Sequence, residues 1–350
     1  MARDRSPSQP RPAPAPAPVA VCIVTYGAAA DLPECVASLR ALTPPVAEIT
    51  VVDCASADDS VAVSRGLAVD FRGEEGAGTS FRVVALEENL GFAGGMNRAL
   101  AETAAPFVLS LNADARPRPG FVQRLLARLE THPDAGAVTG RLLRPEQPGE
   151  PRRLDACGMR LIPTWRHLDR GSGEVDRGQF AEPEKVFGAT GAATLYRRAA
   201  LEDAAVDGEV FDAAFHSFRE DAELSFRLRE RGWEILYEPT AVAVHKRWNL
   251  PERRSAMPAM VNYHSLKNRY LLRCYHQTGR NLLLTLLPTL LRDILALGYV
   301  LLRERSSFEA YRWLWRHRRR IAQRRRHIQR RRKVGSASID RWFHTSGEPL

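Results

Sequence analysis

The chain has 350 residues, of which 44% are hydrophobic and 26% are charged, and its formal net charge at pH 7 is +10. This length suits about two domains, and the composition excludes collagen-like, wholly disordered and polytopic membrane chains. Five scattered cysteines without CxxC spacing argue against a disulfide framework or a zinc ribbon and fit a reducing cytosol. The basic charge is concentrated in residues 303–333, where 14 Lys or Arg against 2 Glu give a net charge of +12.

Residues 1–18 are predicted to be a disordered arm, because they contain six prolines and no apolar period. They also lack the apolar stretch of a secretory signal. From Val19 onward, apolar runs alternate with helical periods. Strands are predicted at 19–26, 49–53, 81–86 and 107–111, and helices at 31–42, 58–66, 94–103 and 120–129. This alternation predicts an α/β fold with a mostly parallel sheet and helices on both faces.

The second half of the chain is less regular. Residues 141–183 are rich in loop-forming residues. Further on, order is predicted to resume at 187–195, followed by a helix at 219–231, strands at 234–237 and 241–245, and helices from Met257 to about 333. Ligands of open α/β sheets bind beyond the carboxyl ends of the strands, so functional residues are expected in the loops that follow them.

Two acidic residues follow predicted strands. Asp53 ends the strand ITVVD, where its carboxylate could accept hydrogen bonds from a ribose or a base; a turn or helix cap is the alternative. A dinucleotide site would need GxGxxG after the first strand, and residues 26–30 are YGAAA, which argues against a nicotinamide enzyme. Asp114 ends LNAD, where it could ligate a divalent cation that bridges a diphosphate, although NxD is common by chance.

Three later patterns each allow a structural and a functional explanation. Residues 89–97 (NLGFAGGMN) are either a structural turn or a glycine-rich loop that brings backbone and helix N-terminus close to an anion. Residues 218–224 (FREDAEL) place three acids at a predicted helix start, as a charged first turn or as a general base for a substrate hydroxyl. His245 ends the last predicted strand, as a structural histidine or as a metal ligand.

In this order, several segments resemble the family 2 glycosyltransferases with the GT-A fold, in their rhamnosyltransferase-like bacterial branch. The segments are VVDCAS, NLGFAGGMN, LNAD, GATGAATLYRRAAL, REDAELSFRLRERG and EPTAVAVH. The resemblance covers residues 19–275 and implies one GT-A domain there. It also implies inverting, Mg²⁺- or Mn²⁺-dependent transfer of a sugar from a nucleotide-sugar donor to a hydroxyl of a cell-envelope glycan or lipid-linked acceptor.

The resemblance implies roles for individual residues. Asp221 would be the catalytic base with Glu220 beside it, and Asp114 and His245 would bind the metal. The residues implied in nucleotide-sugar binding are Thr25, Tyr26, Asp53, Asn89, Gly91, Gly94, Asn97 and Asn112. Asp114 and His245 end strands that are predicted to share one sheet edge, so we expect them within metal-bridging reach of each other. Departures from the usual family residues are Cys54, Ala113 and Glu223, and none removes a group that the mechanism needs.

Residues 276–335 are predicted to be an amphipathic, Arg-rich helical extension, followed by a tail at 336–350. Residues 281–302 are leucine-rich, but two charges and Pro288 interrupt them, which argues against a spanning helix. As a helix this segment aligns one polar stripe, which is typical of a buried amphipathic helix or of an interfacial one. The stripe consists of Asn281, Thr285, Thr289, Arg292 and Asp293.

The aromatic residues and the +12 charge that follow suit an anionic membrane surface, contacted through residues 281–333. We therefore expect a cytoplasmic protein that is peripheral at the inner face of the cytoplasmic membrane. No nucleic-acid partner is expected, because no RNA- or DNA-binding motif accompanies the basic run. Deletion of residues 303–350 is expected to spare transfer to a soluble acceptor and to release the protein from anionic vesicles. The alternative is a non-catalytic binding protein of the same fold that attaches through its basic tail; the intact acids and His245 favour the enzyme.

Overall fold

The computed structural model describes residues 15–73, 78–247 and 258–344. The strands are β1 (Ala17–Thr25), β2 (Val46–Asp53), β3 (Ser80–Ala85), β4 (Phe107–Asn112), β5 (Ala115–Pro117), β6 (Ala135–Leu143), β7 (Leu154–Ala156), β8 (Met159–Ile162), β9 (Arg166–Asp169), β10 (Glu184–Lys185), β11 (Ala193–Arg197) and β12 (Glu234–His245). The helices are α1 (Leu32–Arg40), α2 (Ser60–Gly73), α3 (Gly91–Ala101), α4 (Phe121–Glu130), α5 (Arg198–Ala204), α6 (Glu220–Glu230), α7 (Ala259–His276), α8 (Gly279–Leu302), α9 (Glu309–Arg316), α10 (Arg318–Arg331) and α11 (Ser336–Asp340). Residues 1–14 of the predicted arm lie outside the described residues, and β1 begins two residues before the predicted start.

Ten strands form one mixed sheet in the order β10-β12-β6-β11-β4-β1-β2-β3, with β5 paired to β12 and β7 to β6. Strands β4, β1, β2 and β3 run parallel, and β12 runs parallel to β6. β11 is antiparallel to both β4 and β6. This arrangement confirms the predicted α/β fold. It also brings the carboxyl ends of β1, β2 and β4 to the same edge.

Separate apolar clusters cover the two faces of the sheet, because successive side chains of a strand point to opposite faces. In β1, Val21 and Ile23 belong to the cluster under α1, α2 and α4, whereas Cys22 belongs to the cluster under α3, α5 and α6. Helix α4 shows the matching helical periodicity. Its buried residues are Phe121, Val122, Leu125 and Leu129.

The second half of the sheet differs from the prediction. The strands predicted at 234–237 and 241–245 are one strand, β12, whose register against β6 shifts between Glu238 and Val242. Pro239 lies at that shift, where it has no backbone N–H to donate to the ladder. Within the ordered segment predicted at 187–195, strand β11 begins at Ala193. Strand β6 is missing from the prediction because its sequence, AGAVTGRLL, is rich in small residues.

The C-terminal helices pack onto the α/β domain. One apolar cluster joins Trp165 and Phe226 of the domain with Ile328 and Phe343 of the C-terminal segment. Trp165 stacks on Phe226 with ring centroids 5.7 Å apart, and its centroid is 5.0 Å from that of Phe343. Residues of the predicted tail at 336–350, such as Phe343, are therefore part of the hydrophobic core. This packing argues against the expectation that residues 303–350 can be deleted without affecting the domain.

Helix α8 turns its polar stripe toward the domain and its apolar side outward. Thr285 is buried and accepts a hydrogen bond from Trp165 Nε1 at 3.1 Å. Asp293 accepts hydrogen bonds from Arg269 and Arg273 at 2.8 and 2.5 Å. By length and composition alone, α8 is long and apolar enough to cross a membrane. The exposed Leu and Ile residues of α8 are Leu282, Leu283, Leu284, Leu286, Leu287, Leu290, Leu291, Ile294, Leu295, Leu297, Leu301 and Leu302.

Candidate active site

The ends of β1, β2 and β4 align three of the predicted donor-binding residues. Thr25 pairs in register with Asp53, and Val24 pairs with Asn112. The Asp53 carboxylate is buried and accepts hydrogen bonds from Thr25 Oγ1 at 2.9 Å and from the backbone N and Oγ of Ser56 at 2.9 and 2.5 Å. Asp53 therefore organises the turn after β2, as the structural explanation expects, and its contact with a nucleoside stays a prediction.

The glycine-rich turn lies against a loop that precedes α6. Gly91 has a φ of +66°, and its backbone N donates to Asn89 Oδ1 at 2.8 Å. A Cβ at Gly91 would lie 2.4 Å from the carbonyl oxygen of His216, so only glycine permits this approach. The turn is thus held between the sheet edge and the segment that leads into the candidate catalytic helix.

Asn97 has a different position from the one implied by the resemblance. Its Nδ2 donates to the carbonyl oxygen of Phe211 at 2.7 Å, and its Oδ1 accepts from the backbone N of Phe211 at 2.9 Å. These two bonds tie α3 to the chain before α6. In this structure the Asn97 amide is engaged with backbone rather than presented at the strand ends.

Asp114 and His245 lie against each other, as their positions after strand ends predict. β12 pairs with β5, which places His245 opposite Ala115, and Asp114 Oδ1 is 3.2 Å from His245 Nε2. Behind the histidine, Oδ2 of the buried Asp155 is 2.7 Å from Nδ1. Burial lowers the pKa of His245, but hydrogen bonds to Asp114 and Asp155 outweigh it and raise the pKa to about 9.

The chemistry of these side chains fits a divalent cation. A carboxylate oxygen and an imidazole nitrogen converge, and a buried carboxylate holds the far ring nitrogen, as it does around metal-bound histidines. Binding of a cation would displace the Nε2 proton of His245, so that the Nε2 lone pair faces the cation beside Asp114 while the Nδ1 proton stays directed at Asp155. Among the described residues, no group of three or more His, Cys, Asp or Glu side chains forms a metal cluster. The protein side of such a site therefore consists of Asp114 and His245, with Asp155 behind them.

Arg247 connects this pair to the acids of α6. Its backbone N donates to Asp114 Oδ2 at 3.1 Å, and its Nε is 3.0 Å from Asp155 Oδ1. Its Nη2 pairs with Asp169 of β9, and the charge of Asp169 is one of the causes that raise the pKa of Asp221. The guanidinium group therefore pairs with Asp155, behind the Asp114–His245 pair, and with Asp169, on the side of α6.

Glu220 and Asp221 open α6 in two different environments. Glu220 is 6% exposed, and burial together with the charge of Asp221 raises its pKa well above the usual value. The Asp221 carboxylate accepts hydrogen bonds from the backbone N of Gly191 at 3.0 Å and of Ala222 at 2.8 Å. Burial raises the pKa of Asp221 to about 6. Two backbone N–H groups donate to the Asp221 carboxylate and favour its charged form, whereas burial and the charge of Asp221 disfavour the charged form of Glu220. These environments favour Asp221 as the proton acceptor.

Residues 20–204 match the family model described as Glycosyl transferase family 2. The chain belongs to the family 2 glycosyltransferases. A similar protein is the N-acetylglucosaminyl-diphospho-decaprenol L-rhamnosyltransferase of Mycobacterium tuberculosis (strain ATCC 25618 / H37Rv), which is 26% identical and covers 64% of this chain and 75% of its own length. The succinoglycan biosynthesis protein ExoU of Rhizobium meliloti (strain 1021) is 36% identical over 110 residues, 31% of this chain and 30% of that protein. The predicted family is confirmed.

Solved structures of low sequence identity share the fold of this glycosyltransferase. S. aureus TarS is 14% identical, has a TM-score of 0.55, and covers 93% of this chain and 55% of its own. GalNAc-T7, solved with UDP, GalNAc and Mn²⁺, is also 14% identical, has a TM-score of 0.53, and covers 73% of this chain and 47% of its own. At these identities the likeness concerns the fold, and it confirms the predicted GT-A fold.

Proposed function

We propose that this glycosyltransferase catalyses inverting, divalent-metal-dependent transfer of a hexose or deoxyhexose from a nucleotide sugar to a hydroxyl group. The observation that carries the proposal is the connection through Arg247. Its backbone N donates to Asp114, which with His245 forms a pair that suits a metal, and its guanidinium group pairs with Asp169. The charge of Asp169 in turn acts on Asp221, whose raised pKa suits a general base. A diphosphate leaving group and an attacking hydroxyl need these two kinds of group near one another.

In the proposed reaction, Asp221 accepts the proton of the acceptor hydroxyl while the hydroxyl oxygen bonds to the anomeric carbon. The bond from that carbon to the donor diphosphate breaks on the opposite face, so the configuration inverts and a nucleoside diphosphate leaves. Asp114 and His245 would hold a Mg²⁺ or Mn²⁺ ion, and such an ion would neutralise charge on the diphosphate. Mn²⁺ suits the mixed oxygen and nitrogen ligands, and GalNAc-T7 was solved with Mn²⁺.

The donor would lie across the carboxyl ends of β1, β2 and β4. Tyr26 is 64% exposed at this edge and offers a ring for the base. The turn at Asn89 and Gly91 brings backbone to the same region, and Asn112 contacts His245 at 3.2 Å. The remaining proposed donor residues are Thr25, Asp53, Gly94 and Asn97, the last acting through its bonds to Phe211.

The acceptor is proposed to be a cell-envelope glycan or its lipid-linked precursor. The name of the mycobacterial relative includes a diphospho-decaprenol acceptor. The outward leucines of α8 suit a lipid surface, and exposed arginines follow them in the chain. The protein would then work from the cytoplasmic side, held at the inner face of the membrane through residues 281–333.

A direct test is turnover by purified protein with a panel of nucleotide sugars and a lipid-linked acceptor, with and without Mn²⁺. We expect release of a nucleoside diphosphate that depends on Mn²⁺ and on acceptor, and an inverted linkage in the product. Asp221→Asn should lower the rate about 10²–10⁴-fold while donor affinity is kept. Donor binding without turnover on any acceptor would instead favour a non-catalytic binding protein. If Glu220→Gln is inactive while Asp221→Asn keeps its rate, the base is Glu220.

A further inference from the structure

The segment before the candidate catalytic helix has an uncommon backbone. His216, Phe218 and Arg219 have φ values of +61°, +72° and +71°, in the left-handed region that bulky residues rarely adopt. Such residues persist only where the surroundings hold them. Helix α6 begins directly afterwards at Glu220, and its N-cap residue Arg219 makes no side-chain capping bond. The direction of Glu220 and Asp221 therefore depends on this loop.

One side chain of α7 holds the loop from behind. Asn268 is fully buried, and its Nδ2 lies 2.8, 2.8 and 2.7 Å from the carbonyl oxygens of Phe215, Ser217 and Phe218. Its Oδ1 has no hydrogen-bond partner among the described residues. The amide therefore acts here as a donor, and the three carbonyl groups fix which way it faces.

The opposite side of the loop contacts the glycine-rich turn. The backbone N of Ala93 donates to the carbonyl oxygen of His216 at 2.9 Å, and that of Phe92 donates to Ser217 Oγ at 3.3 Å. The loop is thus clamped between the proposed donor site on α3 and Asn268 on α7. Asn268 does not itself contact Asp221, which accepts its bonds from Gly191 and Ala222.

We infer that Asn268 is a positioning residue, which holds the 215–219 loop in its left-handed conformation and thereby aims Asp221 at the acceptor hydroxyl. The inference rests on the proposed function of Asp221 as the base. It adds a residue from outside the family-model match, on the helix that leads into α8. Its effect should appear in the chemical step rather than in donor affinity.

The test compares Asn268→Leu, which keeps the branched outline of the side chain at a larger volume and removes both donor hydrogens, with Asn268→Ser, which is smaller and keeps one. The control is Leu272→Ala, a buried change on the same helix that leaves the loop bonds intact. We expect Asn268→Leu to lower kcat about 10²-fold and to change the donor KM less than about threefold. Asn268→Ser should recover part of kcat, and Leu272→Ala should lose stability with a kcat close to that of the wild type.

Two further readouts separate positioning from general destabilisation. The acid limb of the kcat–pH profile should move to lower pH in Asn268→Leu, because a relaxed loop admits water to Asp221. The groups that face Asp221 are Glu220, Tyr196, Asp169 and Arg247, and the variant alters none of them. Hydrogen exchange of residues 215–222 should rise in this variant and not in Leu272→Ala.

A kcat and pH profile of Asn268→Leu equal to those of Leu272→Ala would overturn the inference. So would unchanged exchange of the loop. Hydrogen exchange is measured without substrate and so does not depend on the proposed function. If the wild type lacks transferase activity but exchange of residues 215–222 still rises in Asn268→Leu, the proposed function is refuted while the role of Asn268 in holding the loop stands. If Asn268→Leu does not fold, the Asn268→Ser profile against that of the wild type decides the matter.

Discussion

Replacing Asp212 by asparagine should weaken the attachment of the C-terminal helices. Asp212 is fully buried, and its carboxylate lies 2.7 Å from Arg320 Nη2 and 3.1 Å from Arg324 Nε. It also accepts a hydrogen bond from the Tyr275 hydroxyl at 2.8 Å. An asparagine side chain would keep the shape, but it replaces one of two acceptor oxygens with an NH₂ group. The substitution therefore removes the charge that the two arginines of α10 share, together with one acceptor.

The expected cost follows from the exposure of the two arginines. The Arg320 side chain is 39% exposed and can be hydrated, whereas that of Arg324 is 4% exposed. Removing one partner of a buried ion pair costs about 3–5 kcal/mol, because the other charge stays buried without compensation. Glu209 lies 3.1 Å from Arg324 and supplies part of that compensation. We therefore expect a loss near the lower end of that range, about 3 kcal/mol.

Urea unfolding at neutral pH measures this loss of stability. Two further variants serve as a control and as a test of the buried charge. Glu309→Gln breaks a pairing with Arg312 and Arg316 whose side chains are 44–62% exposed, and it should cost less than about 1 kcal/mol. Combining Asp212→Asn with Arg324→Met removes both buried charges and should be more stable than Asp212→Asn alone. A loss under about 1 kcal/mol for Asp212→Asn, equal to that of the exposed pair, would refute this account of how α10 is attached.

Three other outcomes are expected. With Mn²⁺ saturating, kcat should fall about tenfold per pH unit below about pH 6. Burial raises the pKa of Asp221 to about 6, and the protonated carboxyl group cannot act as a base. A fall in kcat that begins only near the ordinary aspartate pKa of about 4 would contradict this. Asp155→Asn should weaken Mn²⁺ binding, measured by calorimetry, about 10–100-fold, and an unchanged affinity would separate His245 from the metal. Gly91→Ala should lower donor affinity because of its positive φ and the contact with His216, whereas Gly66→Ala, with open space around its Cβ, should not.

The sequence predicts best those parts of the fold that local patterns determine. The first four strands and helices are apolar runs and periods of ordinary length, and all eight are present with shifted ends. Asp114 and His245 can be paired in advance because parallel strand ends must meet at one sheet edge. The contact of Asp155 with His245 cannot be predicted in this way, because Asp155 lies in a three-residue strand. Only its place between Leu154 and Ala156 suggests that it is buried. Contacts of this kind depend on tertiary packing, which one sequence does not encode locally.

Asn97 is a predicted site residue whose contacts in the structure are with the backbone of another segment. Its place in a glycine-rich motif implies a ligand contact, but its amide is matched to the backbone of Phe211, 114 residues away. Only the folded chain shows that both of its hydrogen-bonding groups are used. A motif therefore locates a functional region more reliably than it assigns the role of each polar residue within it.

The basic C-terminal segment shows why a charge count needs the structure. Within residues 303–333, Arg320, Arg324 and Arg332 pair with acids of the domain. The side chains of Arg324 and Arg332 are 4% and 11% exposed and are therefore not available to lipids. The exposed arginines lie both before α10, near Trp315, which is 68% exposed, and within it, at Arg318, Arg319, Arg326 and Arg330. Each basic residue near an anionic surface contributes about 1 kcal/mol, whereas a fully buried leucine contributes about 1.5–3 kcal/mol. Since a dozen Leu and Ile side chains of α8 face outward, any membrane attachment should depend more on α8 than on the arginines, and high salt should weaken it without abolishing it.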